Sequence, residues 1–587
     1  MSRPNVSEQV NREEYLARWG ERIFERIIGT LPVVVLGMFV ALPVLLLVER
    51  SLRAETGEWV GWANYARYFS SASLMSAAVN SVLTAGLASV IGVGVAFVLA
   101  YGLVRSRLWG RGVWRQVLLI PLYAPTMLVG LALVYVFGRQ GLVTQGLFGR
   151  LPGVDIGLYG FVGIVIAEAL MVVAPATLMI SNALLGIDGR LDEAARSMGA
   201  GPLRRFMSVT WPAAKFGVLG GLLAGFVLCF TDFGAPKVVG GMTTVLPVQV
   251  YQQVVGQQNL AMGSTVAVLM LVPVVACFAL RQALQRSARA GEVTLDGRSV
   301  PIRTRPSRLR DALLGLAVLV AGVAMLLVVA VPAFVSVVNN WPYSLSGKGT
   351  WASVFTLRHF DFSETSAVGG SALWNSVWIA AVSAVVGTVA VFVTAYAVEK
   401  LRGMGAVRSA SHVLAMAPLA MPGLVIGLAY VFLFNRPEFL GVANPLSGFY
   451  GTAVPLVVAN VIHFFSVAYL TTLVALRQQD RAFEEVGASM GVPRWRLMGT
   501  VTLPVSLPAL IDVATYLFVN SMCTVSAVIF LYSPGTITAS VAVVGLEDAG
   551  EQQAAAALCV LIFGVNVTVA AVAQGVRALA VRMRRVD

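Results

Sequence analysis

The ionisable residues set into otherwise apolar sequence are few, and they limit the chemistry on offer. Asp232 and Lys237 lie in the stretch TDFGAPKVVGG, residues 231–241. A carboxylate at membrane depth is expensive, so it must face a partner or a wet cavity. Asp232 can gate a route or meet a solute's amine; equally, it can cap the N–H of Gly234 or pair with Lys237. Lys237 can attract an anion or sit at headgroup level. Counting 292 residues on from Asp232 reaches Thr524, which stands with Asn520, Ser521 and Ser526 in an unusually polar stretch. Asn520 and Thr524 therefore join Asp232 as candidates for a translocation route, with helix–helix hydrogen bonding as their plainer role. Glu168 reads as a lone acid and His463 as its counterpart in the other half. Each is a hydrogen-bonded interior group or a proton relay. The three histidines (His359, His412, His463) are scattered, and the four cysteines form no CxxC pair. A metal site is not expected from them, and the cysteines read as small packing residues. No HExxH motif, paired aspartates or Ser-Lys arrangement suggests an intramembrane enzyme.

The strongest signal is a polar segment written twice. Residues 192–212 read DEAARSMGAGPLRRFMSVTWP, and 484–504 read EEVGASMGVPRWRLMGTVTLP, an offset of 292. Glu193, Ala194, Ala195, Gly199 and Pro212 in the first copy stand opposite Glu485, Val486, Gly487, Gly491 and Pro504 in the second. Asp188 and Asp480 can cap a short helix, and Gly199 and Gly491 suit a left-handed stop. Pro202 and Pro493 can open a second helix, which Pro212 and Pro504 would end before the membrane. The product is a rigid helix–turn–helix knob, present twice. A mere connector would not need two matched copies.

The surroundings that position these knobs are hydrophobic. Of 587 residues, 57% are hydrophobic and 12% charged, about half the charged share of a soluble domain. Twelve stretches suit spans of roughly 20 apolar residues: 31–48, 79–104, 116–138, 158–181, 216–235, 262–281, 312–336, 373–398, 411–433, 452–475, 507–530 and 554–580. The chain is thus expected to be an all-α polytopic membrane protein. Residues 1–30 are long, polar and mixed in charge, unlike a cleavable signal, so the first run reads as a retained span. The net charge of +13 does not point to nucleic acid, because 33 of 42 Lys and Arg fall on one side of the membrane, 31 in the segments between spans and Arg281 and Arg577 at span ends on that side. That bias places both termini in the cytoplasm. The eight arginines from Arg281 to Arg310 read as a linker beside anionic headgroups.

The duplication extends beyond the knobs. Asn80-Ser81-Val82 and Ala100-Tyr101 match Asn375-Ser376-Val377 and Ala395-Tyr396, and PTMLVGLALVYVF from Pro125 matches PGLVIGLAYVFLF from Pro422. The expected organisation is a cytoplasmic segment 1–30, a six-helix repeat 31–281, a basic linker 282–311, a second six-helix repeat 312–580 and a tail 581–587. Six spans per half make the repeats parallel, and repeats of this kind place a route at their interface.

The twin segment resembles the EAA motif of ABC transporter permeases: Glu-Ala-Ala, a glycine, then a hydrophobic residue ahead of Leu-Pro. The first copy keeps Glu193, Ala194, Ala195, Gly199, Val209 and Pro212, with Trp211 for the leucine; the second keeps Glu485, Gly491, Val501, Leu503 and Pro504 but neither alanine. The resemblance implies the type I importer permease fold with two fused halves, and knobs that dock as coupling helices on a cytoplasmic ABC ATPase dimer. It also implies an extracytoplasmic solute-binding protein, residence in the bacterial inner membrane, and rocking between inward- and outward-facing states. Such a chain is a transport subunit and not an enzyme. ATP and Mg²⁺ would be bound by the partner, since no G-x-x-x-x-G-K-[ST] occurs here and Gly347-Lys348 lacks its context. Fused permeases of this kind serve ferric iron, thiamine and phosphonates. VYQQVVGQQN (250–259) and VSAVIFLYSP (525–534) look most like 2-aminoethylphosphonate permeases, with ferric iron as the alternative. The glutamines of the first stretch read as a surface for the binding protein or as a solvated loop. An ion-coupled secondary transporter, of a different class, would want more intramembrane acids than this chain carries.

Overall fold

The computed structural model describes residues 6–149, 151–291, 307–341, 354–362, 370–401, 403–439, 441–480 and 482–583. Residues 292–306 of the basic linker, Gly347 and Lys348, and the ends of the chain lie outside them. Within them, nine helices are long and apolar enough to cross a bilayer, from Trp19–Ser51 to Gln552–Arg582. Two more segments, the ninth and tenth, are helix pairs bent by 115° and 56°. The expected third span is broken. A helix Arg111–Leu118 gives way to a 3-10 turn Ile120–Tyr123, and only then does the 12-residue apolar helix Thr126–Phe137 begin. The ninth breaks at the matching place, through Ala417–Ala420 into Gly423–Phe434. Prolines explain both breaks. Pro121 and Pro125, like Pro418 and Pro422, remove N–H donors; Pro125 and Pro422 also push Ala124 and Met421 into extended backbone and cap the following helix with ψ 145°.

In each half the second, fourth and fifth segments pack as one bundle, and so do the eighth, tenth and eleventh. Small residues permit the close approach. A Cβ on Gly92 would lie 2.8 Å from Ala169 O and Val172 Cβ, and one on its counterpart Gly387 would lie 2.8 Å from Leu517. The first segment of each half is exchanged. Trp19–Ser51 packs on the eighth and ninth segments, and Arg308–Ser336 on the second and third. Cross-half hydrogen bonds follow: Tyr135 donates to Gln552 O and Tyr430 to Phe39 O, each at 2.7 Å. Large apolar side chains such as Val90, Leu316, Val385 and Val389 remain exposed along the outer faces. A lipid-immersed surface requires this, and a water-immersed one would aggregate.

The fifth and eleventh helices stop at Thr231 and Cys523, short of the expected 235 and 530. Asp232 and Thr524 then take the same extended backbone (φ −71°, ψ 136° and 132°) and turn the chain back.

Candidate functional site

Both knobs form at one end of the molecule. In the first, Gly189–Ser197 is capped by Asp188, whose Oδ1 accepts from Arg190 N–H at 3.0 Å. Gly199 stands at φ +80°. Two bonds close the helix, from Gly199 N–H to Arg196 O (2.9 Å) and from Ala200 N–H to Ala195 O (3.0 Å), the pairing of a Schellman stop. Ala195 thus supplies the carbonyl on which the turn closes. The second knob repeats the pattern. Asp480 Oδ1 accepts from Ala482 N–H at 3.0 Å, Gly491 has φ +68°, and Val492 N–H reaches Gly487 O at 2.9 Å. Gly487 replaces the motif's second alanine because the Leu497 side chain packs there; a Cβ would meet it at 3.2 Å.

Two expectations about the prolines are corrected. Pro202 does begin a helix, but Pro493 caps the second knob's short helix from just outside it. Pro212 and Pro504 do not end the knob. Each sits in the first turn of a spanning helix that is continuous with it (Pro202–Thr231 and Arg494–Cys523). A π-helical turn precedes each, Phe206–Thr210 and Met498–Thr502, closed by Trp211 N–H to Phe206 O and by Leu503 N–H to Met498 O. The widened turn leaves room for the ring and for the carbonyl it would otherwise strike. The knob is therefore an extension of the fifth and eleventh helices, built as a stiff lever.

The levers are anchored and their outer faces are bare. Asp192 pairs with Arg205 at 3.1 Å and lies near Arg105, at the end of the second helix. Glu484, at the matching position, pairs with Lys400 at the end of the eighth helix at 2.5 Å. The second knob also meets the first helix, through Arg494 and Glu25 at 2.6 Å. Glu193 and Glu485 point to solvent. Beside them stand matched large apolar side chains: Leu191, Met198 (86% exposed) and Leu203 on one knob, Phe483, Met490 (73%) and Trp495 on the other.

At the opposite end, the route candidates separate. Asp232 is a cap, as one reading expected, although its Oδ2 accepts from Ala235 N–H at 2.9 Å. The Lys237 pairing goes elsewhere: its Nζ lies 2.7 Å from Asp548 Oδ1, across the boundary between halves. Glu168 is not a lone acid. It is buried facing Asp232 and the Cys229 thiol, and among the described residues neither of its oxygens has a well-formed hydrogen bond. His463 is half-buried at the end of the helix Val454–His463, its ring 4.5 Å from that of Phe464. Asn520 donates to Tyr516 O at 2.8 Å within its own helix, and Thr524 O accepts from Ser540 at 2.7 Å. The Asn520 side chain thus bonds within its own helix, and Thr524 meets the next helix through its backbone carbonyl. The glutamine stretch is only partly a solvated loop: Gln252, Gln257 and Gln258 are exposed, and residues 257–259 lie outside any helix. Gln249 (4% exposed) and Gln253 (6%) are buried in the helical run Leu246–Gly256, because alternate turns of it pack on the sixth helix. Among the described residues, no three His, Cys, Asp or Glu side chains cluster as a metal site.

The sequence matches the model of one family, described as binding-protein-dependent transport system inner membrane component, over residues 88–290 and again over 387–584. The chain belongs to this family. It carries the family's domain twice, in one polypeptide. Among similar proteins, a ferric transport system permease protein, FbpB, of Actinobacillus pleuropneumoniae is 24% identical over 447 residues, 74% of this chain and 61% of the relative. A protein named as a 2-aminoethylphosphonate transport system permease, PhnU, of Salmonella typhimurium is 31% identical over 260 residues, 43% of this chain and 88% of the relative. The molybdenum transport system permease protein ModB of Escherichia coli is 31% identical over 156 residues, 26% of this chain and 67% of the relative. The chain spans less than two thirds of the length of the ferric relatives it matches.

Within this inner membrane component the sequence reading passed over one charged pair. Arg577 Nη1 donates to Asp512 at 3.1 Å, from the twelfth helix to the eleventh. The acid was visible as an ionisable residue inside an apolar run, which is by default a functional position. Its partner, 65 residues away, was not.

Proposed function

We propose that the chain is the transmembrane subunit of an ATP-driven importer, carrying a small solute into the bacterial cytoplasm by alternating access. The two anchored, outwardly apolar knobs carry this reading. They project from continuous helices of the two halves, so a partner that draws the knobs together would swing both bundles. The partner that fits is a cytoplasmic ABC ATPase dimer, which would bind ATP and Mg²⁺ itself. An extracytoplasmic solute-binding protein would deliver the solute at the far end. The knobs and both termini would then face the cytoplasm, as the charge distribution of the sequence also indicates.

The proposed solute is 2-aminoethylphosphonate or a related phosphonate, on the strength of VVGQQN and VIFLYSP. Ferric iron stands as the second reading, because the ferric relatives align over 71% and 74% of the chain. Reconstitution with the cognate ATPase and binding protein separates them. Phosphonate-stimulated ATP hydrolysis is expected, with no stimulation by ferric iron or thiamine. Stimulation by iron alone would keep the coupling role and replace the solute. Uptake that survives a disabled ATPase and follows the proton gradient would sink the importer reading.

The docking role makes its own prediction. Met198→Glu together with Met490→Glu replaces two exposed side chains that hold nothing in the permease. Burial of one such side chain is worth about 1.5–3 kcal/mol. Affinity for the ATPase, read by co-purification or titration, is expected to fall at least tenfold, roughly the equivalent of one such burial. Undiminished affinity would place the docking surface elsewhere.

A further inference from the structure

A cavity of about 680 Å³ opens at the knob end, between the broken third segment of one half and the eleventh and twelfth helices of the other. Tyr123, Thr515, Gln116, Asp512, Arg577 and Arg582 line it. Arg577 is paired with Asp512 at 3.0 Å; Arg582 has no ion-pair partner among the described residues. The wall therefore carries two guanidiniums against one carboxylate. The internal repeat supplies a control. At the 292-residue offset Asp512 is Gly220, Thr515 is Leu223, Arg577 is Gln285 and Arg582 is Ala290. Helix packing common to both halves therefore does not require these charges. Asp512 and Arg577 fall within expected spans, where charged groups are retained if they are wet and used; Arg582 lies just beyond the last span, at the knob end.

The geometry points to a transit site for a small tetrahedral oxyanion of the phosphonate kind in this cavity. Arg577 and Arg582 would take its oxygens, since guanidinium forks match such anions bidentately. Asp512 would face the amine of a zwitterionic solute. The excess of positive charge would repel a bare ferric ion. The inference rests on the importer reading and its phosphonate solute, and it adds the place and the residues that meet that solute.

Charge-selective labelling tests it. In full-length chain with Cys229, Cys277, Cys523 and Cys559 replaced by serine or alanine, Thr515→Cys puts one thiol in the cavity. The protein is held in nanodiscs of phosphatidylcholine and treated with anionic and cationic thiosulfonates of similar size. The anionic reagent is expected to react at least about fivefold faster, the effect of one unpaired charge roughly 4 Å away in water. Arg582→Gln should erase most of that preference, with Arg577→Gln as a second variant. Methylphosphonate or inorganic phosphate should slow labelling saturably. Equal rates, or a faster cationic reagent, would overturn the proposal. Protection by anionic phospholipid in the disc but not by phosphate would assign the site to a lipid headgroup and also overturn it. Labelling needs no ATPase, so a failure of coupling leaves this result readable.

Discussion

Valine at position 491 is expected to reduce solute uptake at least about tenfold, while the amount of permease in the membrane stays at the wild-type level. Gly491 has φ +68°, and no atom lies within 4 Å of where a Cβ would sit. Space is therefore not the constraint; backbone conformation is. The left-handed region costs an ordinary residue roughly 1–2 kcal/mol, and β-branching makes it worse. A shift of that size changes a local equilibrium by a factor of about 5–30. The helix it ends, Ala482–Ser489, is only eight residues long, and the turn is closed by the single bond from Val492 to Gly487 across the glycine. The strained turn would re-form at another angle or fray, and the lever would lose its stiffness. Asparagine, which tolerates the left-handed region, is the control and should retain most of the uptake. Gly199→Val should act in the same direction. Normal transport by Gly491→Val, measured in vesicles against quantified membrane protein, would count against the docking role.

The parts of this site legible in the sequence are those set by local rules. Asp188 and Asp480 cap, and Gly199 and Gly491 turn left-handed, because those roles depend on a few neighbouring residues. The duplication and the apolar segments follow from pattern alone. Where local rules met a longer-range alternative they misled. Proline at 212 and 504 ordinarily stops a helix, but a π-helical turn ahead of it relieves the clash, and nothing in the residue types announces a sixteen-atom ring in place of a thirteen-atom one. Hydropathy also cannot see direction, so a run broken by Pro121 and Pro125 read as one straight span. The exchange of first helices between halves, the meeting of Glu168 with Asp232, and the partners of Lys237 and Arg577 all join residues far apart in the chain. Pairings of that kind leave no periodic trace in one sequence.

The pair of Lys237 and Asp548 leads to the second large effect. It bridges the halves at the end away from the knobs, where a cavity of about 240 Å³ also lies between them, with the ammonium lying 5.4 Å over the Tyr251 ring. At the knob end the boundary holds the 680 Å³ cavity. In the proposed importer cycle the two ends open in turn, and opening the outer end requires these two residues to part. The ion pair itself is a weak restraint, since the two side chains are 21% and 47% exposed and pairs of that kind contribute about 0–1 kcal/mol. Removing both charges should therefore change uptake by no more than about fivefold, the factor that 1 kcal/mol allows. A covalent tie is different, because no available binding energy breaks it. With the four native cysteines replaced, Lys237→Cys and Asp548→Cys joined by a short cleavable dithiol reagent should stop uptake almost completely, and cleavage should restore it. The contrast between the mild uncrosslinked variant and the silent crosslinked one would identify movement, and not charge, as what transport needs at this position. Undiminished uptake in fully crosslinked protein would mean that the halves do not separate here, and that the solute enters by another gap.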